Sequence, residues 1–318
     1  MTRGPPWECG PEPDIPLGPV NSLTRARLQV LAAALLFSVG GAGIKACALT
    51  SWQVASFRSG IAAVVVWLLM PEARRFWTPR VALASLAYAA TVILFVLANK
   101  LTTSANTIFL QSTAPLYILL LGPRLLRERS RPLDLAVIAM IAGGLSLFFV
   151  GVEPPVRTAP NPFLGNILAA TAGITWAGTV MGLRWMGRGG SAGGGSAPAV
   201  VVLGNLIAFV VGLPFALPVV QARALDWAII GGLGVVQIGL AYVFFTLAMQ
   251  HVPALEASVL LLLEPALNPL WSWIVHGERP GPWSALGGVV ILAATGLKTW
   301  IDSRPETPRP SRTEPRAT

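Results

Sequence analysis

The chain has 318 residues, of which 54% are hydrophobic and 12% are charged. Soluble domains carry about a quarter charged residues, so this composition excludes an ordinary water-soluble enzyme, and the apolar content excludes a disordered chain. The formal net charge of +9 would suit a nucleic-acid binder in a soluble protein. In a membrane protein it suits basic cytoplasmic loops instead, so no nucleic-acid partner is predicted.

The two ends of the chain differ from its middle. Residues 1–24 and 302–318 are rich in proline and polar residues and are predicted to be disordered tails. Between them lie ten apolar runs, each close to the length that one helix needs to cross a bilayer. The runs cover residues 27–47, 52–70, 80–98, 103–122, 133–150, 163–184, 199–219, 226–248, 254–275 and 283–301. The sequence therefore predicts an all-α integral membrane protein with ten transmembrane helices in a lipid bilayer.

Lysine and arginine are unevenly distributed among the connections between these runs. Most of the 23 basic residues fall in segments that share one side of the membrane with the N-terminus, such as 124–131 and the C-terminal tail. Positive charge is retained on the cytoplasmic side of membranes. Both termini are therefore predicted to be cytoplasmic, in a multi-pass protein of the cell (inner or plasma) membrane.

The two halves of the chain resemble one another. A shift of 150 residues aligns the fourth run and the turn after it with the ninth run and its turn. The matched pairs include Pro115 and Pro265, Glu128 and Glu278, and Pro132 and Pro282. The halves are expected to be five-helix repeats over residues 25–150 and 163–301. An odd number of spans places the second repeat in the opposite orientation, an arrangement typical of secondary transporters.

Prolines interrupt the fourth and ninth runs at matching positions. Pro115 lies in the fourth run, and Pro265 and Pro269 lie in the ninth. In transporters built from inverted repeats, the solute site lies near the bilayer midplane at such broken helices. The sequence therefore predicts a site between the two halves, beside these three prolines.

These features together resemble the drug/metabolite transporter superfamily, EamA type. The residues that carry the resemblance are Thr113-Ala114-Pro115, Glu264-Pro265, Arg127-Glu128-Arg129 and Gly277-Glu278-Arg279-Pro280. The first copy reads Arg127 where the family's "GER" pattern has glycine. The resemblance covers about residues 25–301 and implies export or exchange of a small-molecule substrate without ATP hydrolysis. The chain has neither a P-loop nor a metal-ligand spacing, and no cofactor or metal is predicted.

Two ionisable residues lie deep inside the predicted spans. Glu264 is about 15 Å from the inner edge of the ninth run, where a charge costs at least about 2.5–3.5 kcal/mol and needs a partner or a cavity. It is predicted to couple proton movement to transport, or alternatively to brace the kink at Pro265. Arg58 is predicted to pair with Glu264 or to hold a solute carboxylate. The alternative for Arg58 is that it snorkels to the outer interface.

Uncharged side chains inside the spans complete the candidate site. They are Asn106, Gln111, Thr113, Asn205, Gln237, Tyr242, Ser258 and Asn268, with Trp176 as an aromatic wall. Each of them alone is better explained by hydrogen bonding between helices than by contact with a solute, but together they predict a polar cavity. Lys45 and Lys100 are expected to snorkel at the outer ends of their helices, and Glu278 to cap a helix and pair locally.

The sequence thus predicts a secondary active transporter that exports small metabolites, with amino acids or drugs as candidates. Transport is expected to use alternating access with protons as coupling partner. The alternatives are a lipid flippase-like protein and a non-transporting membrane scaffold. An intramembrane enzyme is not predicted, because paired aspartates and a nucleophile elbow are missing. Small residues at Ala139/Gly143 and Ser284/Gly288 are consistent with a homodimer or with packing inside the molecule.

Overall fold

The computed structural model describes residues 19–74, 78–125, 132–150, 152–187, 197–248, 251–252 and 260–302. These residues are predominantly helical, and the only β-pairing among them is one isolated bridge between Val156 and Ala159. Eight of the described helices are long and apolar enough to span a membrane. They cover Leu23–Ala46, Ser51–Leu69, Pro79–Leu101, Leu133–Val150, Pro162–Gly182, Ala197–Ala216, Ala224–Ala248 and Pro282–Ile301. Each lies close to a predicted run, which confirms the all-α membrane fold.

The helical elements are numbered in chain order. They are α1 (Pro19–Ser38), α2 (Gly40–Ala46), α3 (Ser51–Leu69), α4 (Pro79–Leu101), α5 (Ser104–Gln111), α6 (Ala114–Leu125), α7 (Pro132–Val150), α8 (Pro162–Gly187), α9 (Ala197–Ala216), α10 (Ala224–Gly232), the π-helix π1 (Leu233–Leu240), α11 (Ala241–Ala248), α12 (Leu263–His276) and α13 (Pro282–Asp302). Helix α1 begins inside the segment expected to be a tail. The remainder of both predicted tails lies outside the described residues.

Side-chain caps explain where several helices begin. The hydroxyl of Thr50 accepts a hydrogen bond from the backbone N–H of Gln53 at 3.2 Å, and the Gln53 side chain accepts from the N–H of Thr50 at 3.1 Å. This reciprocal capping box satisfies two backbone donors at the start of α3. Thr78 and Thr103 cap α4 and α5 in the simpler way, each with its hydroxyl on a backbone N–H of the first turn.

The first span is interrupted at Val39, between α1 and α2, and the fourth and ninth spans are broken at matching positions. A turn at residues 112–113 separates α5 from α6, and a turn at Leu262 precedes α12. The same shift of 150 residues that relates the repeats superimposes these breaks. Pro115 and Pro265 lie in the first turn of the helix that follows, where a missing backbone N–H costs nothing. Pro269 lies inside α12. The prolines therefore mark breaks at equivalent positions in the two repeats.

The bundle has two ends, which we call the terminal face and the far face. The terminal face carries the start of α1 and the end of α13, where Nζ of Lys298 pairs with Oδ1 of Asp134 at 2.9 Å. The far face carries the end of α2, the start of α5 and the loop after α12. Large apolar side chains such as Leu83, Val210 and Val289 are more than half exposed, as expected for a surface that faces lipid.

Close contacts join the two repeats in the middle of the bundle. Gly234 and Gly239 let π1 approach α3 so closely that an added Cβ would lie 2.7 Å from Ile61 and 2.6 Å from Val65. On α9, a Cβ at Gly204 would lie 2.4 Å from the ring of Tyr88 on α4. The first repeat therefore packs directly against the second, and the candidate site lies along this junction.

Candidate functional site

Arg58 points from α3 into the interior of the bundle, where it is 2% exposed. Its Nη1 donates to Oε1 of Gln237 on π1 at 3.3 Å, and its Nη2 donates to the carbonyl of Val92 on α4 at 3.2 Å. Its Nε has no hydrogen-bond partner in the described part of the chain. No carboxylate of that part forms an ion pair with it. The guanidinium is therefore a buried cation held by neutral groups.

This position decides between the roles expected of Arg58. Among the described residues the ion pair with Glu264 is not formed. Snorkelling is also contradicted, because the guanidinium bonds inward to π1 and α4 and is shielded from the surface. The hydrogen-bond partners of Arg58 among the described residues are neutral, and a role in holding a solute carboxylate stays a prediction.

Two tyrosines lie beside Arg58. The rings of Tyr88 on α4 and Tyr242 on α11 meet edge to face with their centroids 5.6 Å apart, and Tyr242 meets Phe37 of α1 in the same way at 5.0 Å. Nδ2 of Asn205 on α9 donates to the Tyr88 hydroxyl at 3.0 Å. Both tyrosines lie within electrostatic range of Arg58. The predicted residues Asn205, Gln237 and Tyr242 thus meet Arg58 in one central cluster.

A cavity of about 70 Å³ adjoins the tyrosine pair. Its lining is Tyr88, Trp176, Thr179, Ala197, Val200, Val201, Tyr242, Phe245 and Thr246. Because α9 begins at Ala197 and α11 ends two residues after Thr246, the cavity lies in the terminal-face half. It has room for a few water molecules and is smaller than the roughly 300–1,000 Å³ of ligand pockets.

The lining of this cavity differs from the expected polar one. It is aromatic and aliphatic apart from the hydroxyls of two threonines and two tyrosines. The predicted wall residue Trp176 lies there. The predicted amides Asn205 and Gln237 are bonded instead to Tyr88, Phe37 and Arg58. Both amides thus form hydrogen bonds between helices in this conformation, and their contact with a solute stays a prediction.

Glu264 lies at the start of α12. It is the second residue of α12, in the first turn after the break at Leu262. Its side chain is half-buried and lies within electrostatic range of Tyr242. A carboxylate in a first helical turn is stabilised by the partial positive charge of the helix N-terminus. Both interpretations of Glu264, as a coupling group and as a support for the break, are compatible with this position.

Two other predicted residues have structural partners away from the central cluster. Asn106 lies near the far face, where its Nδ2 donates to Oδ1 of Asn166 on α8 at 3.2 Å. Thr113 lies at the break between α5 and α6, where its hydroxyl donates to the carbonyl of Leu110 at 2.6 Å. These contacts join α5 to α8 and stabilise the break, and they do not reach Arg58.

Gln111 and Asn268 carry buried polar atoms that lack a hydrogen-bond partner among the described residues. Oε1 of Gln111, at the end of α5, is buried and has no hydrogen-bond partner in the described part of the chain. Asn268 on α12 is completely buried, and within the same described residues neither Nδ2 nor Oδ1 is hydrogen-bonded. Ser258 lies outside the described residues. Asn268 lies against Gly41 of α2, in the far-face half of the bundle.

A polar network closes the far face. Nζ of Lys45 at the end of α2 pairs with Oε1 of Glu278 at 3.0 Å, and the two side chains are 3% and 4% exposed. Lys45 also donates to the carbonyl of Thr102 at 2.8 Å and to that of Thr158. Oε2 of Glu278 accepts from the backbone N–H of Ser104, the first residue of α5, at 2.8 Å. Glu278 thus caps a helix and pairs, as expected, but its partner belongs to the other repeat.

The expectation that the two outer lysines snorkel is wrong. Lys45 is tied into this network, and Nζ of Lys100 donates to the carbonyl of Cys47 at 2.5 Å. Next to them, Oδ1 of Asp226 accepts from the backbone N–H of Ala48 at 2.7 Å. Both cations therefore point into the protein because backbone carbonyls or a carboxylate from other segments solvate them there.

Two features of the site are not predicted from the sequence: the central position of Tyr88 and the ion pair of Lys45 with Glu278. Tyr88 is one of only three tyrosines in the chain, and a hydroxyl in the middle of the third run is the signal that marks it. Lys45 also stands out in the sequence, because it is a charged residue near the end of the apolar run 27–47. Its partner Glu278 is more than 200 residues away, and only the packing of the two repeats brings them together.

The two pairs of small residues have different surroundings. A Cβ at Gly288 would lie 2.5 Å from the ring of Phe109, and the hydroxyl of Ser284 donates to Glu153 at 2.9 Å. That pair therefore serves packing inside the molecule. No described atom lies within 4 Å of a Cβ added at Gly143, and its partner Ala139 is exposed. A homodimer remains a prediction.

Comparison with known proteins places this architecture in a family. The model of the EamA-like transporter family matches residues 24–150 and again residues 163–299. A solved structure, described only as the crystal structure of a protein, is 19% identical with a TM-score of 0.60. The match covers 89% of this chain and 99% of that chain, so the two share a fold.

Two relatives have assigned activities. The pseudopaline exporter CntI of Pseudomonas aeruginosa is 23% identical over 276 residues, which are 84% of this chain and 93% of the relative. The threonine/homoserine exporter RhtA of Escherichia coli is 26% identical over 207 residues, which are 64% of this chain and 65% of the relative. The first of these matches extends over nearly the whole of both proteins.

Proposed function

The chain belongs to the EamA-like transporter family, and from that membership we propose that it is a secondary active transporter that exports small metabolites by alternating access. Both relatives with assigned activities are exporters, and one is named for threonine and homoserine. We propose amino-acid-like solutes, which carry a carboxylate and an apolar or polar side chain. We propose that the multi-pass fold lies in a bacterial inner membrane with both termini in the cytoplasm, as the distribution of arginine and lysine favours.

Arg58 carries the proposal for the solute. A cation near the bilayer midplane is costly and is normally paired or solvated, yet among the described residues Arg58 has only the neutral partners Gln237 and Val92. A solute carboxylate supplies the missing countercharge, and the planar guanidinium accommodates a carboxylate with two parallel hydrogen bonds. Arg58 therefore favours an anionic or zwitterionic solute over a purely cationic one.

The tyrosine pair is the proposed entrance to Arg58. Tyr88 and Tyr242 line the cavity and also interact electrostatically with the guanidinium. Rotation of their rings would join the cavity to Arg58 and enlarge the space beyond 70 Å³. Trp176 and Phe245 offer apolar surface to the solute's side chain. In the proposed orientation this cavity lies in the cytoplasmic half, where an exporter takes up its solute.

Glu264 is the proposed site of proton coupling. It is the acidic group closest to the break in the ninth span, and it lies within electrostatic range of Tyr242. A carboxyl that binds a proton on one side and releases it on the other exchanges protons for solute. The first repeat has Ala114 at the equivalent position, so the proposed coupling is confined to the second repeat.

A binding measurement tests the solute assignment. Purified wild-type protein and the variant Arg58→Gln are heated with a panel of amino acids and with the matching amino alcohols, which lack the carboxylate. A ligand at one hundred times its Kd stabilises the folded state by about 2.7 kcal/mol. We expect amino acids to raise the Tm of the wild type, and neither the amino alcohols nor the Arg58→Gln protein to show the shift.

The same measurement distinguishes a metabolite transporter from the two alternatives, a flippase-like protein and a membrane scaffold. A flippase-like protein is expected to be stabilised by lipids rather than by amino acids, with no dependence on Arg58. A membrane scaffold is expected to show no solute-dependent shift at all. Equal stabilisation by the amino acids and the amino alcohols would contradict the role proposed for the guanidinium.

A further inference from the structure

We propose that the far-face half of the molecule contains a second, closed section of the solute path, lined by Ser104, Asn268 and Ser272. Lys45 and Glu278 form the latch that keeps this section shut. The inference rests on the proposed transport by alternating access, and it names the residues past which the solute leaves.

Unpartnered polar atoms mark the path. Asn268 and Ser104 are completely buried and Ser272 is 1% exposed, yet Nδ2 and Oδ1 of Asn268 and both serine hydroxyls have no hydrogen-bond partner in the described part of the chain. Buried polar groups are nearly always hydrogen-bonded; other unpartnered atoms occur elsewhere in the described residues, but these four lie along one helix junction and need a common explanation. Polar groups that meet a solute and water in the open state, and are shut away in the closed state, explain them.

These atoms lie together. A Cβ placed on Gly41 would lie 2.7 Å from Oδ1 of Asn268 and 2.9 Å from the hydroxyl of Ser104. Ser272 follows Asn268 by four residues on α12 and therefore lies on the same side of that helix. The three side chains thus line one seam, where α2 and α5 of the first repeat meet α12 of the second.

The seam is closed in this conformation because Gly41 has no side chain. There is no room for one additional carbon atom between α2 and its neighbours α5 and α12. A solute therefore cannot pass between the central cluster and the far face until these helices separate. The cavity on the opposite side of the cluster is the complementary feature expected of a transporter closed towards one face.

The latch joins the same helices above the seam. The Lys45–Glu278 pair connects α2 to the loop after α12, and Glu278 also holds the first backbone N–H of α5. Taking two charges out of water is compensated only while they stay in contact. The pair therefore stabilises the arrangement with the far face closed, and separating the helices requires that it break.

Thiol labelling tests the proposal with reporters on each side of the central cluster. Cys9→Ser and Cys47→Ala remove the native thiols, and either Ser272→Cys in the seam or Thr246→Cys in the cavity introduces one. The full chain is placed in lipid nanodiscs, where a charged, membrane-impermeant maleimide reaches both faces. The latch is removed by the double substitution Lys45→Met/Glu278→Gln, which leaves no unpaired charge and keeps an acceptor for the Ser104 N–H.

We expect the latch variant to raise the modification rate of Ser272→Cys at least about tenfold and to lower that of Thr246→Cys, as a shift between two conformers requires. The matched control Lys298→Met/Asp134→Asn removes an ion pair of similar length at the terminal face and should leave Ser272→Cys slow. Gly41→Ala is a second route to the same result, because its methyl group wedges the seam open.

Unchanged reactivity of Ser272→Cys in both the latch and the Gly41→Ala proteins overturns the proposal. So does faster modification of both reporters together, which indicates general loosening. The labelling requires no solute, so it is independent of transport. Reciprocal labelling in a protein that exports nothing supports the latch and removes the proposed function. Export with unchanged labelling removes the latch alone.

Discussion

Arg58 is the residue on which solute binding depends most in this account. Replacing it by glutamine removes the charge but leaves an amide donor, so the net loss is that of about one charge-assisted hydrogen bond, about 1.5–3 kcal/mol. We expect Arg58→Gln to weaken binding by about 10- to 100-fold, and Arg58→Lys to recover only part of the loss because an ammonium lacks the planar fork. Equilibrium binding of a radiolabelled amino acid measures both. Identical affinity of the lysine and glutamine variants would contradict the role of the charge.

Glu264 gives a prediction about protons. The assay uses membrane vesicles in which the protein has the same orientation as in the cell. If the Glu264 carboxyl carries the coupling proton, export by the wild type accelerates when the outside of these vesicles is made more acidic than the inside. The Glu264→Gln protein should export at a rate that does not respond to the pH gradient. Glu72→Gln, which changes an exposed carboxyl beyond the end of α3, is the matched control. A gradient response that persists in Glu264→Gln would assign the carboxyl to support of the helix break.

At the scale of single residues, the sequence identified the rare deep charges and amides but not their partners. Arg58 and Gln237 stand out in the sequence as candidate site residues, because ionisable and amide groups seldom occur inside membrane spans. Their hydrogen bond, and the approach of Tyr88, depend on how α3, α4 and π1 pack, which no local pattern contains. The snorkelling predicted for Lys45 is wrong for the same reason, since its countercharge, Glu278, belongs to the other repeat.

The π-helix gives a prediction at the scale of elements. Gly234 lies where a Cβ would be 2.8 Å from the carbonyl of Arg58 and 2.7 Å from Ile61. We expect Gly234→Ala to destabilise the protein by about 1–3 kcal/mol through overpacking and to displace Arg58. Gly231→Ala, in α10, meets no described atom within 4 Å and should instead stabilise by about 0.5–1 kcal/mol. Thermal unfolding in detergent checks both. Equal effects of the two substitutions would contradict the close contact.

Helix boundaries were predictable from the sequence to a useful degree. Apolar length, Thr50 and Thr78 at helix starts, and proline after the breaks all act through local physics. The π-helix was not predictable, because the close approach of its glycines Gly234 and Gly239 to α3 becomes visible only once the two helices are packed together. Residues 253–259, which include Ser258, lie outside the described residues, so the role of Ser258 stays a prediction.

For the whole molecule, the distribution of basic residues predicts one orientation in the membrane. A fluorescent protein fused after residue 318 should fluoresce, because it folds in the cytoplasm. Alkaline phosphatase fused at the same point should be inactive, because it needs the periplasm. The reverse pattern would place the cavity on the periplasmic side and contradict uptake from the cytoplasm.

The overall fold was predictable because hydropathy, charge and the internal shift of 150 residues are properties of the entire chain. The conformational state was not, since both arrangements of an inverted repeat use the same spans. What distinguishes them here is the sealed seam at Gly41 and the paired Lys45 and Glu278 on one side, with the cavity on the other. These contacts depend on packing between the repeats.

The central claim, export of a small carboxylate-bearing solute through the Arg58 site, is tested most directly by the compounds that accumulate outside cells. Bacteria that express the wild type, Arg58→Gln or the surface control Arg74→Gln at equal membrane abundance are compared with empty cells by untargeted profiling of the medium. The account predicts that a carboxylate-bearing metabolite accumulates with the wild type and Arg74→Gln but not with Arg58→Gln or in empty cells. Equal accumulation with all three proteins, or with none of them, would contradict it.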